Sequence, residues 1–369
     1  VSSGDGADTG TISLRVLNAE LSVRGVDGRI AREIVRLGRD RFGVEAVSTR
    51  LRAPGLGPSN GAKAAKHPAG SHPDSPATSP VVVHVALSTD LHRDLAVATA
   101  VRRAALVELL RASADATAEG GHLVVVSSAR VYGARATNPV PIPPEAPLHA
   151  RDDGGLTGDL LVVEAELEAV RRARPDLRVS VVRAAAVVGP GVDTTISRHF
   201  ESPRLLVLSG SSPRWQFVHV EDLAAAVMCV VGHGPDGGLG PVVTVGAPGS
   251  ISQARVELVS GKRRLELPAA VALATARRLH AAGVLNTSGV DLDYVRYPWL
   301  VSAEPLEAVG WRAVHDNETC LQVMLDGIRR DRGLLALRRD AAVGTASAAV
   351  AVVGTAAIVR RRKRRGSLI

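Results

Sequence analysis

Short apolar runs alternate with amphipathic stretches along most of the chain. Residues 12–51 read as strand, loop, helix and strand, the helix marked by Ile30, Ile34 and Leu37 at helical spacing. The second strand of this stretch is expected over Val44–Thr49. Val81-Val82-Val83-His84-Val85-Ala86 is an apolar run of the kind found in a parallel strand buried on both faces. A helical stretch over 91–116, a strand over Leu123–Ser127, a Pro-rich loop over 139–148, a helix over 159–173 and a strand over Val179–Arg183 follow. Strands alternating with helices predict an α/β fold, a doubly wound parallel sheet (Rossmann-like) with helices on both faces. Ligands of such sheets bind at the carboxyl ends of the strands. After residue 190 the elements shorten, which suits a small C-terminal lobe on the substrate side.

Two stretches break this pattern. Residues 53–80 are rich in Pro, Ala, Gly and Ser, lack an apolar period, and are expected to form a flexible linker. Residues 341–359 form an apolar segment of 19 residues without charge, dominated by Ala, Gly, Ser, Thr and Val. That is near the ~20 residues needed to span a bilayer, but small residues make its insertion marginal. The expected plan is a disordered N-terminus over 1–11, a Rossmann-like domain over 12–190 carrying the 53–80 insertion, and a lobe over 191–332 partly interleaved with the sheet. The apolar segment and a polybasic tail complete it over 341–369.

Composition changes the picture in three places. Hydrophobic residues at 46% and charged residues at 22% exclude a wholly disordered chain. Six of the eight net positive charges sit in the run Arg360-Arg361-Arg362-Lys363-Arg364-Arg365, and removing them leaves +2. The folded body is therefore near neutral, and with aromatics at 2% no nucleic-acid partner is expected. The tail suits an anionic membrane surface. Exporting six positive charges conflicts with the positive-inside rule, so residues 341–365 are expected to lie on the inner face of the cell membrane rather than cross it. The opening VSSGDGADTG has no apolar leader segment, and Cys229 and Cys320 exclude a disulfide scaffold, so a cytoplasmic setting is expected.

Candidate chemistry begins with Gly25-x-x-Gly28-x-x-Ala31 ahead of the first helix. Glycines at this spacing allow a tight turn and close approach of a pyrophosphate to a helix N-terminus. The same residues also read as an ordinary glycine turn capping a helix, because Leu21-Ser22-Val23 makes a poor buried strand and Asp27 adds negative charge. The end of the second strand carries no acidic residue for a ribose. Arg50 or Arg52 stands there, which suits the 2′-phosphate of NADP or a plain solvated loop.

Further along stand Val124-Val125-Val126-Ser127-Ser128-Ala129-Arg130-Val131-Tyr132-Gly133, then Val181-Val182-Arg183, Val188-Gly189-Pro190-Gly191 and Gln216-Phe217-Val218-His219-Val220-Glu221-Asp222-Leu223-Ala224. With His84-Val85-Ala86, this set resembles the extended short-chain dehydrogenase/reductase family, specifically its NAD-dependent epimerase/dehydratase branch, over roughly residues 12–330. The segment Arg296-Tyr297-Pro298-Trp299 looks like the C-terminal lobes of actinobacterial members. The resemblance implies NAD or NADP as cofactor, a nucleotide-sugar-like ligand and a homodimer built on two helices, the second carrying Leu160, Leu161, Val162 and Val163. It implies Gly25, Gly28, Ala31, Arg50, His84, Ala86 and Ser127 as cofactor-binding positions and Ser128 as the catalytic serine.

In that family a Tyr and a Lys in a Y-x-x-x-K pattern share one helix face with the serine beside them. The Tyr moves the proton while the nicotinamide moves a hydride. Here Leu156 takes the Tyr position and Leu160 the Lys position. None of Tyr132, Tyr294 and Tyr297 has Lys four residues later, and no lysine lies between Lys66 and Lys262. Impaired or altered catalysis is therefore expected, the alternative being a non-catalytic ligand-binding or protein-interaction module near the membrane. Tyr132 is expected to pack rather than react. His219 and Asp222 look like a base and its orienter, but the resemblance places them in a lobe-connecting segment with Asp222 as a helix cap. The eleven histidines show no H-x-x-x-H spacing, and no metal site is expected.

Overall fold

The computed structural model describes residues 20–43, 47–52, 79–152, 154–281 and 290–339. The expectations for 1–11, 53–78 and 341–369 lie outside these residues. The chain opens with β1 (Leu21–Val26), α1 (Arg29–Phe42), β2 (Val47–Arg52), β3 (Ser79–Val85), α2 (Leu91–Leu95), α3 (Thr99–Asp115), β4 (Thr117–Ser128), α4 (Leu156–Ala173) and β5 (Arg178–Ala184). The second part runs β6 (Ala186–Val188), α5 (Thr195–Glu201), β7 (Leu205–Leu208), β8 (Arg214–Trp215), β9 (Phe217–His219), α6 (Val220–His233) and β10 (Val242–Val245). It ends with β11 (Ile251–Ser252), α7 (Gln253–Ser260), β12 (Arg264–Leu267), α8 (Ala269–Ala281), α9 (Glu304–Ala308) and α10 (Asn317–Arg339).

Six strands form the main sheet in the order β10-β5-β4-β3-β1-β2, and every neighbouring pair is parallel. Alternate side chains on each strand enter two separate cores, as the two-residue period requires. Val81, Val83, Val85, Val124 and Val126 join the core that holds Ile30 and Ile34 of α1 and Leu223 and Val227 of α6. Val82, Leu123 and Val125 join Leu106 and Leu110 of α3 and Leu160, Val163 and Leu167 of α4. The chain runs from β1 outward to β2 and then returns to the far side of β1 with β3, so the strand order reverses between them. Ligand crevices in open α/β sheets lie above such a reversal.

Several elements differ from the sequence pattern. Leu21, Ser22 and Val23 are fully buried, because β1 lies between β2 and β3 rather than at an edge. The linker expected over 53–80 ends sooner, since Ser79 and Pro80 already belong to β3. The helix expected over 91–116 is two helices. Asp90 caps α2 by accepting from the Arg93 N–H, and at the break the carbonyls of Asp94 and Val97 both accept from the Arg102 guanidinium.

Short two-stranded pairs build the second part: β6 with β9, β7 with β12 and β8 with β11. The few aromatic residues concentrate here. All but Phe42 and Tyr132 lie beyond residue 199, and Phe200, Trp215 and Phe217 pack as one cluster with Phe200 and Trp215 centroids 5.1 Å apart. The α6 helix and β10 return to the main sheet, β10 as its edge strand. Among the described residues no helix is long and apolar enough to cross a membrane.

Two buried histidines make stability depend on pH. Burial pushes the His84 imidazole down to about 3 and that of His122 to about 4, from 6.5. The folded chain thus keeps both neutral at pH values where the unfolded chain protonates them. Stability is lost as pH falls below about 6.5, by roughly 2 kcal/mol per histidine at about pH 5. The urea midpoint is expected to fall between neutral pH and about pH 5. An unchanged midpoint would show that neither histidine is held neutral by the fold.

Candidate functional site

The turn between β1 and α1 sits at the strand reversal. Gly25 adopts φ +104°, and a Cβ there would lie 2.3 Å from the Val85 carbonyl oxygen on β3, so only glycine lets the two strands approach this closely. Gly28 begins α1 without a side-chain cap, and a Cβ there would meet the Thr89 hydroxyl at 2.9 Å. That hydroxyl accepts the Arg29 N–H at 3.0 Å. Ala31 is fully buried one turn on. The Asp27 carboxylate is neutralised by Arg32 at 3.1 Å, and the Asp27 carbonyl accepts from Arg93. The first turn of α1 carries no acidic residue. A helix start without acidic residues, with the adjacent charge paired, suits an anion.

Arg50 is exposed in the middle of β2, opposite Arg24 of β1. Arg52 ends the strand beside the turn, where its carbonyl accepts the Asp27 N–H at 2.9 Å. Of the two arginines, Arg52 therefore stands nearer the β1–α1 turn. His84 is buried on the opposite side from α1, with its Nδ1 2.9 Å from the Ser113 hydroxyl of α3. Ser127 is also buried and donates to Glu164 at 2.7 Å. Glu164 in turn forms a two-pronged ion pair with Arg183, which donates to the Tyr132 hydroxyl at 3.0 Å. Tyr132 is packed at 1% exposure and donates its hydroxyl to the Pro144 carbonyl at 2.6 Å, and burial raises its pKa.

Leu156 and Leu160 lie on α4 and line a cavity with Val26, Ala86, Ser88 and Asp94. The cavity holds about 20 Å³, room for a single water. Its polar wall comes from a residue that sequence reading did not single out. Arg102 of α3 is 2% exposed and pairs with Asp159 of α4, while its remaining N–H groups donate to the carbonyls of Asp94, Val97 and Gly154. Arg103 pairs with the other Asp159 oxygen at 2.9 Å. The signal was present: Arg102 precedes Leu106 and Leu109 at the spacing of one helix face, so a charge was bound to be buried there. Asp94 is itself fully buried, and desolvation raises its pKa.

Ser128 is 3% exposed, donates to the Ala184 carbonyl at 3.2 Å and accepts from the Arg130 N–H. Arg130 reaches across to the second part of the chain. Its guanidinium donates to Thr157 on α4, to Thr195 on α5 and to Asp291, and lies 3.8 Å over the Tyr294 ring. Beside it a second cavity of about 190 Å³ is lined by Arg135, His149, Arg151, Asp293 and Tyr294.

The reading of Asp222 as a helix cap is corrected. His219 is the N-cap of α6, accepting from the Glu221 N–H, whereas Asp222 lies inside the helix. The Asp222 carboxylate accepts from the backbone N–H groups of Val314 and His315 and sits 3.0 Å from His315 Nδ1. It thereby holds the loop ahead of α10 against the start of α6. The imidazole that it orients is thus His315, 93 residues away in sequence.

Residues 77–246 match the family model described as the NAD dependent epimerase/dehydratase family. They form a domain of that family. Curated relatives of the epimerase/dehydratase domain's chain are uncharacterized proteins of Mycobacterium bovis and Mycobacterium tuberculosis, 31% identical over 105 residues. The match spans 28% of this chain and 28% of those relatives' length. Among solved structures, RMD from Pseudomonas aeruginosa, complexed with NADPH, is similar at 16% identity and a TM-score of 0.52, covering 85% of this chain and 98% of that one. Human epimerase family protein SDR39U1 with NADPH gives 16% and 0.55, covering 83% and 99%. UDP-glucose 4-epimerase of Thermotoga maritima with UDP-glucose gives 16% and 0.52, covering 85% and 99%. At these identities the likeness establishes the fold of the epimerase/dehydratase domain.

The Arg102–Asp159 pair has a measurable consequence. Asp159→Leu removes the carboxylate and leaves a buried guanidinium without its counter-ion, at a cost of about 3–5 kcal/mol. Adding Arg102→Met to it should restore at least half of that loss, as read by urea unfolding. A double variant no better than the single one would show that the pair is not the dominant contact between α3 and α4.

Proposed function

We propose that this chain binds NAD or NADP at the β1–α1 turn and does not run the proton relay typical of its family. Support for binding comes from the turn itself: Gly25 and Gly28 at the strand reversal, an α1 N-terminus free of acidic residues, and Arg52 beside it for a 2′-phosphate. The adenosine and pyrophosphate half of the cofactor fits these residues. The other half does not fit equally well. Leu156 and Leu160, which can neither give nor take a proton, line a cavity of about 20 Å³ where the family's Tyr and Lys would stand, and this observation carries the reading. Ser128 already spends its hydroxyl on Ala184 and Arg130. When bound, the cofactor supplies a redox-active nicotinamide, but no described side chain at Leu156 and Leu160 is placed to move a proton beside it.

The polar cavity with Arg135, His149 and Arg151 supports a second, nucleotide-sugar-like ligand bearing anionic and hydroxyl groups. A homodimer through α3 and α4 belongs to the same proposal. It is supported by Val101, which is 52% exposed on α3, and by half-buried Leu161 and Val162 on α4. The basic run over residues 360–365 fits attachment to the anionic inner face of a membrane.

Calorimetry with NADH and NADPH tests the binding. The wild-type chain should bind, and Gly28→Asp should abolish binding by placing a carboxylate at the helix start. Arg52→Ala, at an exposed position, should weaken NADPH by about tenfold while leaving NADH unchanged, the loss of one charged hydrogen bond. A folded wild-type chain that binds neither dinucleotide would overturn the proposal and leave an interaction module. Efficient turnover of a nucleotide sugar with bound NAD would overturn its non-catalytic part.

A further inference from the structure

We infer that His219, Glu221 and His315 form a site for one divalent transition-metal ion, with zinc the best chemical match. The inference is independent of dinucleotide binding, since none of these residues lines either cavity. The three residues come from two distant segments. His219 closes β9 and caps α6, Glu221 lies in the first turn of α6, and His315 sits in the loop ahead of α10. One donor atom from each lies within 4.8 Å of the other two.

The surroundings prepare these atoms for a cation. His315 Nδ1 lies 3.0 Å from the Asp222 carboxylate, to which it donates, leaving the lone pair on Nε2. A carboxylate behind an imidazole in this way fixes the tautomer and strengthens the ligand. The same carboxylate accepts the Val314 and His315 backbone N–H groups at 3.0 Å, so the loop is held in place before any ion arrives. The lone pair on His219 Nδ1 is barely used, its partner being the Glu221 N–H at 3.4 Å, and Glu221 Oε2 lies 3.8 Å from it.

The two imidazoles stack with centroids 3.9 Å apart and planes at 29°. As stacked, the rings do not aim at one point, and the His315 ring must turn toward His219. His219 is buried and fixes that point, whereas the Glu221 side chain is 54% exposed and the His315 side chain 21%, so these two have room to move. A helix N-terminus disfavours a cation. Here Glu221 and Asp222 of α6 and Glu33 of α1 place negative charge near His219, although Arg36 also faces Glu33 and Glu221. Two imidazole nitrogens and one carboxylate oxygen are a donor set that zinc takes with a fourth position left to water. The ion would join the loop ahead of α10 to the start of α6, fastening the last helix to the helix that covers the sheet.

The test uses the full chain with zinc and cobalt(II) chloride. Calorimetry should give one zinc per chain, cobalt should develop visible d–d bands that zinc abolishes, and zinc should raise the melting temperature. Glu221→Gln and His315→Gln should each weaken zinc at least tenfold, with metal-free melting of the exposed-site Glu221→Gln variant unchanged. If His315→Gln fails to fold, Glu221→Gln still decides the matter. Absence of saturable binding by the folded chain would overturn the inference. So would binding that Glu221→Gln leaves within twofold, since the ion would then sit elsewhere.

Discussion

A parallel sheet cannot leave either face to water, and this constraint governs the rest of the molecule. Parallel strands require crossovers, the crossovers are helices, and the helices must cover both faces of apolar side chains. The valine-rich strands β3, β4 and β5 meet this demand with two cores, one under α1 and α6 and one under α3 and α4. Once β1 and β3 lie side by side, their carboxyl ends create a crevice whether or not a ligand uses it. Gly25 is the point where the constraint becomes local, because β1 can approach Val85 only where no Cβ intervenes.

That dual role matters for interpreting the glycine turn. Gly25 is required by packing alone, and Gly28 is crowded by Thr89. The sheet therefore calls for glycine at position 25 whether or not a ligand binds at the turn. Around the small cavity, by contrast, Leu156 and Leu160 of α4 extend the apolar lining. Polarity near this point comes from α3, where Arg102 donates to carbonyls at the helix break and pairs with Asp159. A charge so thoroughly engaged holds α3 to α4 and is not free to move protons. Arg130 does comparable work between the two parts of the chain, linking α4 and α5 to Asp291 and Tyr294.

Much of this was legible in the residues. Apolar runs of Val81–Val83 and Leu123–Val126 announced buried parallel strands, and the Ser-Ser and His-Val-x-Asp segments announced the family. That Leu156 and Leu160 stand four residues apart, and that no lysine lies between Lys66 and Lys262, could be read directly from the sequence. The burial of Leu21-Ser22-Val23 was not legible, since a short strand with a serine looks like an edge until two neighbours are placed beside it. The break at 96–98 was hidden too, because carbonyls there accept from a side chain of the next helix.

Sequence by itself determined the layers and the apolar character of the Leu156 and Leu160 positions, because periodicity and residue chemistry are local properties. Tertiary structure alone decided which partners the polar residues would find. Asp222 could have capped its own helix, yet two N–H groups of a loop over 90 residues away face it, and they take it instead. Likewise, no spacing rule joins His219 to His315. Their rings stack because β9, α6 and the loop ahead of α10 converge, and convergence of distant segments depends on how whole layers pack.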